Sequence, residues 1–306
     1  MSAPLNGEAQ GKNAKGPDIG LRQARRMCQL SEKDRLSLIA EGLPIILNSA
    51  QGFWKASQQL DTLPREAKVL ESFAEEEAAK ILILMDAVRC PPKLASSRLS
   101  VILGWFYDHL ARLIYAEAAS WKPMHLSQLR EYVDRERRGH YIEGYAGEYI
   151  MPNWAVYSRE SGLYADVEAS QDGELHWSSP RQPYDPGDFR PFRSFTPAAL
   201  RVAEAMQQLG LFTAAGLRAA SEIWGAVEYR DGEDRQGGER LTEALLRRLH
   251  TEGLMTDTAQ DEHVRTLYGD WQIPMYNLEF SLIPVPIEQL RAEQEAEYWS
   301  MVGDPR

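Results

Sequence analysis

Residues 66–89 read EAKVLESFAEEEAAKILILMDAVR, and this stretch limits the fold more than any other. Leu70, Phe73, Ala74, Glu77, Ala78, Ile81, Leu84, Met85 and Val88 recur at steps of three and four, the stripe of an amphipathic helix. From Ile81 to Met85 the sequence is apolar on every side, so other helices must surround it. Asp61 or Thr62 can cap the start, and Pro64 suits a first turn. Glu77 interrupts the stripe, and a carboxylate there needs a partner because an unpaired buried charge is costly. Lys80, three residues on, is the nearest candidate. Two readings stay open: a structural ion pair, or a carboxylate that orients a catalytic group between helices.

The chain has 306 residues, enough for one or two domains with a sizeable core. Its formal net charge of -11 argues against generic nucleic-acid coating, though a small basic site could still grip RNA. Two cysteines, Cys28 and Cys90, make neither a disulfide framework nor a zinc motif. The N-terminal stretch lacks an apolar run, and no segment approaches the ~20 apolar residues of a membrane span. A cytoplasmic chain without membrane contact is the expectation.

Residues 1–30 read as a disordered tail. Ser31 and Asp34 have capping-box spacing before a helix carrying Leu36, Ile39, Leu43, Ile46, Leu47, Ala50 and Trp54, which Gly42 and Pro44 should kink or restart. The 66–89 helix stops before Pro91. A third helix from Ser96 or Ser97 bears Leu99, Ile102, Leu103, Phe106, Leu110, Leu113 and Ile114, with His109 beside the stripe. A fourth starts near Leu126 and is interrupted at Gly139 and Gly144. LYADVEA and ELHWSS flank Asp172 and Gly173 as a β-hairpin. Helices follow at about 197–209, 213–229 and 241–250, with a charged loop over 230–239. MYNLEFSLIPV reads as a strand, and Pro286 opens a last helix. The chain divides into a helical bundle with hairpin over 31–180 and a mostly helical region over 181–306 packed on it. Leu70, Phe73, Ile81, Leu84, Leu103, Phe106, Leu110 and Leu113 should share one core.

Four stretches in this order resemble the AbiV-type abortive-infection proteins, a branch of the HEPN superfamily. They are LESFAEEEAAKILIL, WFYDHLARL, RESGLYADVEASQDGELHWSSP and WQIPMYNLEFSLIPVPIEQLR, and together they span about residues 35–300. Ala165 stands where the family usually has Val. The resemblance implies a mainly α, HEPN-like antiparallel helical bundle with a small β-hairpin. It also implies a metal-independent, cofactor-free endoribonuclease that works as a homodimer in antiviral defence. The alternative is a non-catalytic module that blocks translation through a nucleotide, viral or translation-machinery partner.

The family signature is Arg, four to six residues, then His. Arg135 and His140 fit it; Arg159 and Tyr164 repeat the spacing with Tyr for His, and either pair can be the active one. Histidine titrates near neutral pH and can move a proton, while the arginine fork matches phosphate oxygens. Residues five apart on a regular helix diverge by about 140°. Gly139 can end the helix in a left-handed turn and let His140 fold back. Arg130, Arg137 and Arg138, with Arg135, Lys122 and Lys80, offer a local basic edge for RNA. Tyr132, Tyr141 and Tyr145 could stack bases. Glu77 and His109 complete the candidates, expected to face a cleft at the dimer two-fold beside Arg135 and His140. The chain has no Glu-x-x-His pair for a di-metal bundle and no Gly-x-Ser-x-Gly or Walker loop.

Overall fold

The structure, a computed structural model, describes residues 19–143, 149–169, 174–182 and 195–302. Within these, the chain is mainly helical, with two small antiparallel hairpins. Helix α1 (Ile19–Gln29) already occupies part of the stretch expected to be a disordered tail, and Ala24 buries against the core. Ser31 caps α2 (Glu32–Ser57), its hydroxyl accepting from the Asp34 amide at 3.1 Å. Pro44 does not break α2. It lies exposed on the outer face, while Leu36, Ile39, Leu43, Leu47 and Ala50 hold the inner face against the core.

Helix α3 (Pro64–Arg89) is the centre of the fold. Every residue from Ile81 to Arg89 is buried, as the all-round apolar sequence requires. Leu63, rather than Asp61 or Thr62, is the cap residue, and it makes no side-chain cap bond; Pro64 opens the first turn. The expected third helix is two: α4 (Pro92–Trp105) and α5 (His109–Ala118). Asp108 caps the second, its carboxylate accepting from the Ala111 amide at 2.9 Å. That cap wins over continued periodicity and sets His109 at the first position of α5.

Helix α6 (Leu126–Glu136) leads into β1 (His140–Glu143), paired with β2 (Tyr149–Pro152). Helix α7 (Trp154–Leu163) precedes the hairpin of β3 (Asp166–Ala169) and β4 (Leu175–Ser178). This second hairpin is where the alternating pattern placed it; Asp172 and Gly173, expected at its turn, lie outside the described residues.

Helices α8 (Ala198–Gln208), α9 (Ala214–Trp224), α10 (Arg235–Thr251) and α11 (Asp261–Asp270) pack on the same core as α2 and α3. Asp234 caps α10, so half of the expected charged loop is helix. The stretch MYNLEFSLIPV forms no strand. Its backbone is held instead by the core: the Met275 amide donates to Asp86 at 2.8 Å, and Phe280 packs on Trp105 and Tyr115. Helix α12 (Ile287–Val302) follows, with only Leu290 buried. Of the eight residues assigned to one core, Ile81, Leu84, Leu103 and Leu110 are buried and the other four are half-buried. Among the described residues no helix is long and apolar enough to cross a membrane.

Candidate functional site

Three helices bring a carboxylate, a histidine and two arginines together. Glu76 sits on the side of α3 that faces α5 and α7, and its side chain is only 4% exposed. His109 Nδ1 lies 2.8 Å from Glu76 Oε2, and Arg159 Nε of α7 donates to Glu76 Oε1 at 2.7 Å. Arg112, one turn beyond His109, brings Nη1 to 3.6 Å of Glu76 Oε2 and donates Nε to the Asp108 carbonyl at 3.2 Å. Burial pulls the Arg112 pKa below its ordinary value, opposed by the negative charges of Glu76 and Glu77.

Two contacts compete for His109 Nδ1. Glu76 can accept from it when the nitrogen carries its proton, and Arg112 Nη2, 3.0 Å away, can donate to it when it does not. The shorter contact is the one to Glu76, which places the proton on Nδ1. His109 Nε2 is left as an acceptor on a side chain that is 55% exposed. Two guanidiniums meet one carboxylate beside that nitrogen, and Glu77 and Asp108 bring further negative charge to Arg112. The Asp108 carboxylate already sits on the positive end of the α5 helix dipole. The arrangement sets an accessible histidine nitrogen beside two guanidiniums, where a proton can be moved.

The expected site residues divide. His109 and Arg159 meet, through Glu76. Glu77 does not bond His109: it pairs with Lys80, whose ammonium lies 5.4 Å from the centre of the Phe106 ring. Glu76, one position earlier, takes the place proposed for Glu77. Tyr164 caps the C-terminus of α7 and is exposed. Arg135 and His140 are both exposed, and no hydrogen bond joins them among the described residues. Gly139 makes no left-handed turn. Helix α6 stops because the chain runs out beside Ile283, whose carbonyl accepts from the Gly139 amide at 2.8 Å.

The basic edge is compensated. Arg130 meets Asp231, Arg135 meets Glu136, Arg137 meets Asp134, and Arg138 meets Glu293, at 2.7–3.1 Å. Lys122 meets Asp270 at 2.8 Å. Tyr132 packs on Trp121 with ring centres 5.1 Å apart and the planes tilted, and Tyr141 lines a cleft with Trp154; Tyr145 lies outside the described residues.

Sequence reasoning missed Glu76, Arg112 and Asn153. Asn153 caps α7, accepting from the Val156 amide at 3.0 Å, and its amide donates to the carbonyls of Glu136 and Arg138 at 2.7 and 2.8 Å. It thus ties the helix of Arg159 to the end of α6. An Asn directly before a helix, and the Asp before His109, were the available signals. Among the described residues no three His, Cys, Asp or Glu side chains gather as a metal site. No protein-family model, characterised protein or solved structure gives a significant match to the chain.

Proposed function

We propose that this chain is a HEPN-type, metal-independent endoribonuclease of antiviral defence, acting in the cytoplasm as a homodimer, with its chemistry at Glu76, His109, Arg112 and Arg159. One observation carries the reading: a buried carboxylate orients a half-exposed histidine while two arginines converge on the same point. His109 Nε2 takes the proton of a ribose 2′-hydroxyl. The freed oxygen attacks the adjacent phosphorus, the bond to the 5′-oxygen breaks, and that oxygen takes a proton from solvent water as it leaves, while His109 later returns its own proton to solvent. The products are a 2′,3′-cyclic phosphate and a 5′-hydroxyl end. Arg112 and Arg159 balance the charge that grows on the phosphoryl oxygens. The antiviral role, the dimer and the product type rest on the family resemblance, and the acid–base assignment rests on the cluster.

The test is incubation with labelled single-stranded RNA in EDTA, wild type beside His109→Ala and His140→Ala. Loss of about 10²–10⁴ in rate for His109→Ala alone supports the cluster. The same loss for His140→Ala alone returns the activity to Arg135 and His140. A second reading, a non-catalytic module that blocks translation through a protein or nucleotide partner, is favoured by the pairing of Arg130, Arg135, Arg137 and Arg138 with carboxylates. A wild type that cuts no RNA, with or without EDTA, selects it.

A further inference from the structure

Helix α12 forms one wall of a cleft of about 450 Å³. Arg135, Arg138, Tyr141 and Trp154 line it from the end of α6, β1 and the start of α7, and Glu293 and Glu297 line it from α12. Arginines beside aromatic rings are what a single RNA strand needs from a groove: cations for its phosphates and flat faces for its bases. The cleft is also near the Glu76 cluster, since Trp154 and Arg159 share α7, about 7.5 Å of helix rise apart.

The hold on α12 is weak. Leu290 is its one buried residue, and β1 is its main neighbour among the described residues. A helix in a protein takes most of its stability from packing, and this one packs little. Its charge suits a basic groove: Glu288, Glu293, Glu295 and Glu297 stand against Arg291 alone. Its grip on Arg138 is incomplete. Both Glu293 oxygens accept from a single nitrogen, Nη2, at 3.0 and 2.7 Å. Arg138 Nε is buried and has no partner among the described residues. A bidentate anion uses two nitrogens of the fork, so Glu293 fills only part of the anion site. We infer that the cleft is an auxiliary site for an RNA strand and that α12 is an acidic strap closing it, with Glu293 standing at Arg138 where a phosphate would bind. The inference takes its ligand from the ribonuclease reading, but its residues are not those of the Glu76 cluster.

The probe is a fluorescent single-stranded oligoribonucleotide with 2′-O-methyl groups throughout, which offers no 2′-hydroxyl to attack. Its binding to the full chain is read by anisotropy. Glu293→Gln with Glu297→Gln should tighten binding about tenfold. Glu288→Gln with Glu295→Gln makes the same change in net charge outside the cleft lining, and should alter affinity by less than about threefold. Leu290→Asp adds a negative charge, yet should also tighten binding about tenfold, because it frees the strap. Arg138→Ala in the Leu290→Asp chain should cancel that gain. In the wild type, the oligonucleotide should speed hydrogen exchange along α12. Circular dichroism and the denaturation midpoint show whether each variant is folded; if Leu290→Asp is not, the two glutamine pairs and the exchange decide. Equal gains from the two pairs overturn the strap, as does slower exchange along α12 when the oligonucleotide binds. If no variant cuts unmodified RNA while the gains hold, the ribonuclease reading falls and the strap stands. If cleavage depends on His109 while the gains are missing, the strap falls alone.

Discussion

Glu76 Oε2 and His109 Nδ1 lie 2.8 Å apart across the junction of α3 and α5. The contact exists because two helices are surrounded differently. Helix α3 is covered by α2 on one side and by α5 and α7 on another, which leaves a buried acceptor facing the start of α5. Asp108 begins α5 at the position that turns His109 toward that acceptor.

Glu76→Ala should be strongly destabilising. It leaves Arg112 and Arg159, with side chains 10% and 16% exposed, without their shared counter-charge. Breaking a buried pair in this way costs about 3–5 kcal/mol. Glu76→Gln keeps the volume and one acceptor, so it should cost less while still releasing the histidine tautomer. Urea denaturation midpoints measure the first effect; an unchanged midpoint for Glu76→Ala would remove the carboxylate from its structural role.

Asp86 is the second test of buried charge. It pairs with Arg89 and accepts from Tyr115 Oη at 2.9 Å and from the Met275 amide at 2.8 Å. The Arg89 guanidinium lies 4.8 and 4.2 Å from the ring centres of Trp224 and Trp271, which meet each other edge to face. Asp86→Ala should therefore cost about 3–5 kcal/mol, since the guanidinium stays buried and unpaired. Tyr115→Phe removes one donor to a charged acceptor and should cost about 1.5–3 kcal/mol. Equal losses for the two variants would mean that Arg89 finds another counter-charge.

Glu75 should make stability depend on pH in the opposite sense to a salt-bridged carboxylate. Burial raises its pKa; Lys68 opposes this, and the neighbouring carboxylates Glu71, Glu117 and Glu76 add to it. A folded-state pKa above the unfolded value contributes stability that is complete below the unfolded pKa and is lost as pH rises through the folded one. Glu75→Gln should then raise the thermal midpoint at about pH 7, with the gain shrinking toward zero by about pH 4. A gain of the same size at both pH values would assign it to packing rather than ionisation.

The centre of the fold was legible because Ile81 to Met85 has no polar side to expose. The site was less so. A single stripe drawn through Leu70, Phe73 and Ala74 leads to Glu77 and passes over Glu76, because the stripe assumes one covered face and α3 has more than one. Helix α11 went unread, as did α7, whose first turn follows the Asn153 cap directly and which buries no residue fully. The stretch around Met275 looks like a strand by composition, yet its amide goes to a side chain on α3 rather than to a ladder. Such long-range acceptors leave no local pattern. The resemblance drew attention to His109 and Arg159 separately; only the three-dimensional fold joins them through Glu76.

Asn153 gives a way to disturb the site without touching it. Its side chain caps α7 and at the same time donates to two carbonyls at the end of α6. It is 6% exposed, so water cannot readily replace those bonds. Asn153→Ala should lose a cap worth about 0.5–2 kcal/mol and leave buried carbonyls short of a donor. Asn153→Asp keeps the cap acceptor but turns the donor to Glu136 and Arg138 into a second acceptor, so it should be at least as damaging. Both changes loosen the seat of α7 and therefore the placement of Arg159 on Glu76. The expected result is a fall in RNA cleavage larger than the drop in folded fraction explains, with His109 and its carboxylate intact. Hydrogen exchange should rise along α7 and stay low in the buried half of α3. If cleavage falls only in proportion to the unfolded fraction, α7 is a structural support and Arg159 does not act on the substrate.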